Sequence, residues 1–333
     1  MRWQNTGISD VNEPGDTAGS VLGPLVVALG GGHGLAASLE ALRRITHNLT
    51  AVVTVADNGG SSGRLRQEFG VLPPGDLRMA LAALCGDDRW GQTWARVLQH
   101  RFQSQGALNG HSVGNLLIVA LWELLADQVE GLDWVADLLD ARGRVLPMSR
   151  EPLEISAEIA DLPDKGQHQI SRVVGQAAVA TSAGRVCSVS LEPSDPEACG
   201  EALDSVAEAD WVVMGPGSWY TSVIPHLLVP QLRMALETTP ARLILTMNLE
   251  AHTAETRGLD TVDHLRVLHR YAPALPIHSV LVDPTAVGNH TVLEAEVSGL
   301  GGELLVADVA SDQPGVHDPE KLAVAYTQIM EGP

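Results

Sequence analysis

Val26-Val27-Ala28-Leu29 runs directly into Gly30-Gly31-Gly32-His33-Gly34, and a helical pattern over 35–44 follows at once. A strand that turns on consecutive glycines into a helix leaves main-chain N–H groups open, backed by the positive end of the helix dipole. Glycine also lets the backbone approach a phosphate closely. A ligand-free strand-to-helix turn has little need of four glycines in five positions, so the junction reads as a phosphate loop. It is not the dinucleotide fingerprint. Counted from Gly30, the third glycine of G-x-G-x-x-G would fall at Leu35, which speaks against a simple NAD site.

Outward from this junction, strand-like and helix-like segments alternate in the manner of a parallel sheet. The segment 50–56 is β-branched and unbroken, as expected of a strand covered on both faces. A Gly/Ser-rich loop follows, and Pro73-Pro74-Gly75-Asp76 opens a helix over 77–84 with Asp76 read as its N-cap. Helical periodicity returns at 92–102 and 112–127. The stretches 144–148, 153–159, 173–181 and 185–191 are short and extended, and read as an antiparallel β-rich subdomain over about 144–192. Alternation then resumes: a helix over 196–208, a strand Trp211–Met214, a second glycine turn Gly215-Pro216-Gly217-Ser218, and helical sequence to Leu236. A strand at 243–247, a helix Thr261–Tyr271, strands at 279–282 and 304–309, and a helix at 320–330 complete the chain. This predicts an α/β fold, Rossmann-like, with a mostly parallel sheet flanked by helices and a small antiparallel insertion. Both glycine turns follow strands, so both belong at strand C-termini, where open α/β sheets bind ligands.

The chain of 333 residues carries a formal net charge of −20, which argues against a broad nucleic-acid or anionic-membrane surface. Cys85, Cys187 and Cys199 form no C-x-x-C pair and are odd in number, so they suggest thiols in a reducing cytoplasm rather than a disulfide framework. Residues 1–20 are polar with no apolar core, and read as a disordered leader rather than a secretory signal. No apolar run approaches the ~18 residues of a membrane span.

The densest polar segment is Asp57-Asn58-Gly59-Gly60-Ser61-Ser62-Gly63-Arg64. An acidic residue at a strand end is placed to bind a ribose or a metal, Ser61 and Ser62 offer hydroxyls, and Arg64 offers a fork suited to phosphate. Arg78 follows Asp76 on the next helix, where a solvated role and a ligand role both stand open. His111 and Asn115 lie in Asn109-Gly110-His111-Ser112-Val113-Gly114-Asn115. His111 reads either as a neutral hydrogen-bond donor or as incidental to a cap built by Asn109 or Ser112. Asn248, beyond a strand end, could read a base or sugar. His252, Glu255, Asp263 and His264 lack zinc spacing, and no nucleophile elbow, Walker lysine or Cys–His pair is present.

GGGHGLAASLEALR, TAVVTVADNGGSSGRLR, PPGDLRMALAAL, NGHSVGNLLIVAL and GPGSWYTSVIPHLLVP, in this order, closely resemble the YvcK family of gluconeogenesis factors, within the wider superfamily of the 2-phospho-L-lactate transferase CofD. The resemblance implies one CofD-like domain over 21–333 and binding of UDP-sugars such as UDP-N-acetylglucosamine. It also implies regulation of carbon flux, cell-wall precursor supply and cell shape through a partner enzyme. Carried over by motif, Gly31, Gly32 and Gly34, with His33 where threonine is common, would line the phosphate loop. Asp57, Ser61, Ser62 and Arg64 would face the nucleotide, with Gly215, Gly217 and Ser218 as the opposite wall. The superfamily enzyme transfers phospholactate with Mg²⁺, for which Asp57 is the ligand this chain offers. Family members carry two aspartates where this chain has Asp57-Asn58, and one lost carboxylate weakens such a site. Past Tyr271 the resemblance thins: that stretch holds no arginine, and Tyr326 is its single tyrosine. Three readings follow: a non-catalytic nucleotide-sugar regulator, a metal-dependent CofD-like transferase, and, more distantly, an NAD(P) reductase. A homodimer is the default assembly.

Overall fold

The computed structural model describes residues 23–162, 169–251 and 253–332, so the leader expected over 1–20 lies outside the described residues. The chain opens with β1 (Val26–Gly30), α1 (Gly32–Leu42), β2 (Leu49–Val53), α2 (Gly60–Phe69), α3 (Gly75–Ala83), α4 (Arg89–Gln99), α5 (Val113–Leu125), α6 (Gln128–Leu139) and β3 (Arg144–Pro147). An insertion of β4 (Glu154–Ala160), β5 (Ile170–Val174), α7 (Gln176–Ala180) and β6 (Arg185–Glu192) follows. The second half runs α8 (Gly200–Glu208), β7 (Trp211–Met214), α9 (Pro225–Leu228), α10 (Pro230–Thr238), β8 (Arg242–Thr246), α11 (Thr261–Tyr271), β9 (Ile277–Val282), α12 (His290–Gly299), β10 (Glu303–Val306) and α13 (Pro319–Glu331).

Seven strands form one parallel sheet in the order β10-β9-β8-β7-β1-β2-β3, and three form an antiparallel sheet, β5-β4-β6. β1 is the hinge of this order. From it the chain winds outward through β2 and β3, then returns to its other side at β7 and winds away through β8 to β10. The direction of winding therefore switches between β1 and β7, and a crevice is forced open at their C-terminal ends. All five residues of β1 and all four of β7 are buried, which is why both read as unbroken apolar runs.

Four sequence expectations are corrected here. The stretch 144–148 does not join the antiparallel patch: Arg144–Pro147 pairs in parallel with β2 as the edge of the main sheet. The stretch 173–181 is extended only to Val174, after which Gln176–Ala180 is a short helix. The Gly/Ser loop after β2 is a loop only as far as Gly59, because Gly60 opens α2. The helix expected over 112–127 ends at Leu125, and Asp127 instead caps α6 by accepting from the N–H groups of Val129 and Glu130.

Candidate functional site

The two glycine turns meet at the switch point. A Cβ on Gly34 would collide with the carbonyl of Pro216, so the backbone of α1 touches that of the second turn, and only glycine permits the approach. On the other side of the first turn, Asp76 Oδ2 and Thr54 Oγ1 close over Gly31, where a Cβ would lie 2.7 and 2.8 Å from them. The second turn is fastened by Asn248, whose Oδ1 accepts from Gly217 N (2.9 Å) and whose Nδ2 donates to Gly217 O (2.8 Å). A crevice of about 200 Å³ between the turns is lined by Gly34, Pro216, Gly217, Ser218, Asn248 and His317, among others. It shares Leu249 and Glu250 with a cleft of about 620 Å³ over the ends of β8 and β9, whose polar walls include Asp260, Thr285 and Asn289.

Amides expected to be open are partly spent. Gly32 N–H is accepted by Asp76, Gly215 N–H by Leu29 O, and Gly217 N–H by Asn248. The first-turn amides of His33 and Gly34, which have no intrahelical acceptor, remain. Asp76 is not the cap of α3, whose N-cap is Pro74 without a side-chain bond. Its carboxyl instead reaches Thr54 Oγ1 (3.3 Å) and the phosphate loop. Burial, and next the neighbouring Asp57, push its pKa up to about 7. Two carboxylates thus stand together although Asn58 has replaced the second aspartate of the motif. Asn58 faces away from them and accepts from Ala177 N (3.2 Å) in the insertion.

Ser61, Ser62, His111 and Asn115 form one buried cluster. Ser61 Oγ lies 3.0 Å from His111 Nδ1, and Asn115 Nδ2 donates to Ser61 Oγ (3.1 Å) and Ser62 Oγ (3.4 Å). Burial lowers the His111 pKa, which favours the neutral ring. Asp57 Oδ1 accepts from Gly59 N (2.8 Å), and its other oxygen lies with Ser62 Oγ over the backbone of Gly75. Arg64 turns outward and donates to Asn109 O (2.8 Å) and Ala107 O (3.4 Å), so its fork is spent on carbonyls. Arg78 is buried against Gly114 and donates to Gln99 Oε1.

Two participants escape the sequence reading, and a third, Glu255, enters it only as a rejected zinc ligand. Thr54 looks like any β-branched strand residue, His317 lies far along the chain beside Met247 O (3.3 Å), and Glu255 accepts from Tyr220 N (3.1 Å). Glu255 is buried and its pKa is pushed up to about 7 by that burial. Among the described residues no cluster of three or more His, Cys, Asp or Glu side chains could hold a metal, and no helix is long and apolar enough to cross a membrane.

The sheet order and the paired turns define a doubly wound α/β protein with its candidate site at the switch point. The family model of the 2-phospho-L-lactate transferase CofD matches residues 26–329, and the chain belongs to that family, in the YvcK branch. It is 49% identical over 313 residues to a Mycobacterium leprae protein named "Putative gluconeogenesis factor", covering 93% of this chain and 87% of that one. A Mycobacterium tuberculosis protein of the same name is 50% identical over 301 residues, covering 90% and 88%. A Listeria monocytogenes "Gluconeogenesis factor" is 34% identical, covering 92% and 96%. The crystal structure of a UPF0052 family member from Bacillus halodurans superposes with a TM-score of 0.81 at 31% identity, covering 92% of this chain and 99% of that one. The family match runs well past Tyr271, so the C-terminal thinning expected from the missing arginines is not a boundary of the family.

Proposed function

We propose that the switch-point crevice binds a nucleotide-sugar of the UDP-N-acetylglucosamine type. In this reading the protein is a regulator of carbon flux, cell-wall precursor synthesis and cell shape that acts through a partner enzyme. The observation that carries the reading is the direct contact of the two glycine turns, Gly34 against Pro216, at the one place where the sheet order reverses. A diphosphate there would take the His33 and Gly34 amides at the positive end of α1. The adjoining cleft over β8 and β9 gives room for base and sugar. The same reading treats 21–333 as a single domain, working in the cytoplasm as a homodimer or with its partner. Calorimetry with UDP-N-acetylglucosamine is expected to show submillimolar binding, with the ligand recovered intact by mass spectrometry. Absence of heat with any UDP-sugar would overturn it.

A second reading, a metal-dependent transferase of a phosphorylated group, is favoured by one observation: Asp57 and Asp76 are neighbouring carboxylates beside the phosphate loop. Mg²⁺ is commonly held by one or two carboxylates together with substrate phosphates, and these two side chains would hold it. The ion would neutralise developing charge on the transferred group. Mass spectrometry of product with GTP- or UDP-linked donors tests this reading, and a donor left unchanged in both Mg²⁺ and Mn²⁺ rejects it.

A further inference from the structure

On the far side of the phosphate loop a cleft of about 570 Å³ opens between α1, α3 and α4. Its walls carry His33 and Glu40 from α1, Arg78 from α3, Arg96 and Gln99 from α4, and Arg101 just beyond it, over a floor of alanines and Met79. Three arginines against one carboxylate is a strong local reversal in a chain of net charge −20. Elsewhere Arg43, Arg44, Arg144, Arg150, Arg172 and Arg266 form ion pairs, while Arg64 and Arg66 donate to main-chain carbonyls. Among the described residues Arg78, Arg96 and Arg101 form no ion pair within 4.0 Å.

Arg78 is the informative member. It is 3% exposed, one terminal nitrogen is satisfied by Gln99, and its Nε is buried without a partner. An unanswered buried Nε is shared with Arg43, but Arg43 has the Asp87 carboxylate as counter-charge whereas Arg78 has only the neutral amide of Gln99. A buried guanidinium without an anion is costly. Burial, and next the proximity of Arg101, lower the Arg78 pKa to about 10, so a further anion is electrostatically wanted here. Arg101 donates to Gly110 O (3.0 Å) through one nitrogen, which fixes its fork at the rim.

We propose that this cleft is a second ligand site, for a small dianionic phosphate monoester gripped by Arg78, Arg96 and Arg101. Planar guanidinium forks match tetrahedral phosphate oxygens, and three of them suit a double charge better than a single carboxylate. The alanine floor accepts a short carbon skeleton, and Glu40 on the opposite wall can accept a hydrogen bond from one of its hydroxyls. The inference is independent of the nucleotide-sugar reading. The two sites share only the turn at His33, and Arg96 and Arg101 lie outside the switch-point crevice.

The test is calorimetry at low salt with inorganic phosphate and with glycerol 3-phosphate, on the full chain, the double variant R96A/R101A, and Ala82→Phe, which fills the floor. Circular dichroism monitors folding. The expected result is one saturable glycerol 3-phosphate per chain, bound at least tenfold more weakly by both variants, while UDP-N-acetylglucosamine titrates R96A/R101A as it does the parent. No saturable heat, or equal affinity in parent and R96A/R101A, overturns the proposal. A loss in R96A/R101A without a loss in Ala82→Phe would put the anion on the outer surface and overturns it too. A parallel fall in UDP-sugar affinity in R96A/R101A would merge the cleft with the first site and reject a second one. If UDP-N-acetylglucosamine binds neither protein, the nucleotide-sugar reading fails while the phosphate ester result still decides this one.

Discussion

Asp76 is the residue at which the phosphate loop and the acid–base chemistry of the site meet. Its carboxyl occupies the Gly32 amide, and its folded pKa of about 7 lies above the ordinary 3.8. A group raised in this way binds more protons folded than unfolded between pH 3.8 and about 7. Its destabilising effect is therefore absent below that window, grows through it, and is constant above it. The unfolding free energy of Asp76→Asn relative to the parent is thus expected to rise from pH 4 to pH 7 and then level off. The difference reaches on the order of 4 kcal/mol for a shift of this size, as urea titrations across that range would show. Comparison against the parent matters because buried His226, with its pKa lowered to about 4 by burial, makes the folded state lose stability as pH falls below 6.5. An anion at the loop favours protonated Asp76, so UDP-N-acetylglucosamine affinity should fall as pH rises through 7 and be flat in Asp76→Asn. Equal slopes in the two proteins would remove Asp76 from the site.

Between elements, the crevice is held open by contacts that have little local sequence signature. Asn248 stands on the loop after β8 and reads in sequence as a ligand amide, yet both ends of its amide are committed to Gly217. Asn248→Ala should release the second turn, at a cost of about 1–3 kcal/mol for two unmade hydrogen bonds, measured by chemical denaturation. It should also weaken UDP-N-acetylglucosamine by at least tenfold. Gly34→Ala forces the first turn off Pro216 and should cost about 1–3 kcal/mol by overpacking, with the same loss of binding. The strand–glycine–helix junctions were legible because period and glycine placement are local properties of the chain. Ser61, Ser62, His111 and Asn115 were legible singly, as polar residues of two separate motifs at helix starts, but their union in one cluster appears only in the folded chain. What stayed hidden depends on partners distant in sequence. Arg64 turns to the 107–109 carbonyls, Asn58 turns to Ala177, and Thr54 meets Asp76 only after β2 and α3 are assembled. Arg144–Pro147 was misjudged for a similar reason: four residues fix a strand, but its neighbour β2 lies about a hundred residues back along the winding path.

At the scale of the whole molecule, the C-terminal helix closes the path begun at the first glycine turn. Tyr326, fully buried on α13, brings its hydroxyl within 2.8 Å of Ser38 Oγ on α1 and 3.0 Å of Thr246 Oγ1 at the end of β8. Ser38 Oγ in turn donates to Gly215 O (3.1 Å), the first residue of the second turn. One hydroxyl thus ties the last helix to both halves of the doubly wound sheet and, through Ser38, to both glycine turns. Burial pushes the Tyr326 pKa up to about 12, so the phenol keeps its proton through the range in which the protein folds. Tyr326→Phe keeps the ring in its apolar setting and removes only this tie, leaving the buried Thr246 hydroxyl without this partner while Ser38 keeps its bond to Gly215 O. A loss of about 1–3 kcal/mol is expected from an unanswered buried polar group, read in urea unfolding, with no dependence on pH between 5 and 9. Because the lost bond connects the turns rather than the ligand, UDP-N-acetylglucosamine affinity should fall less than in Asn248→Ala. A Tyr326→Phe protein as stable as the parent would show that α13 is held by its apolar face alone, with Leu322, Ala325 and Ile329 sufficient to seat it.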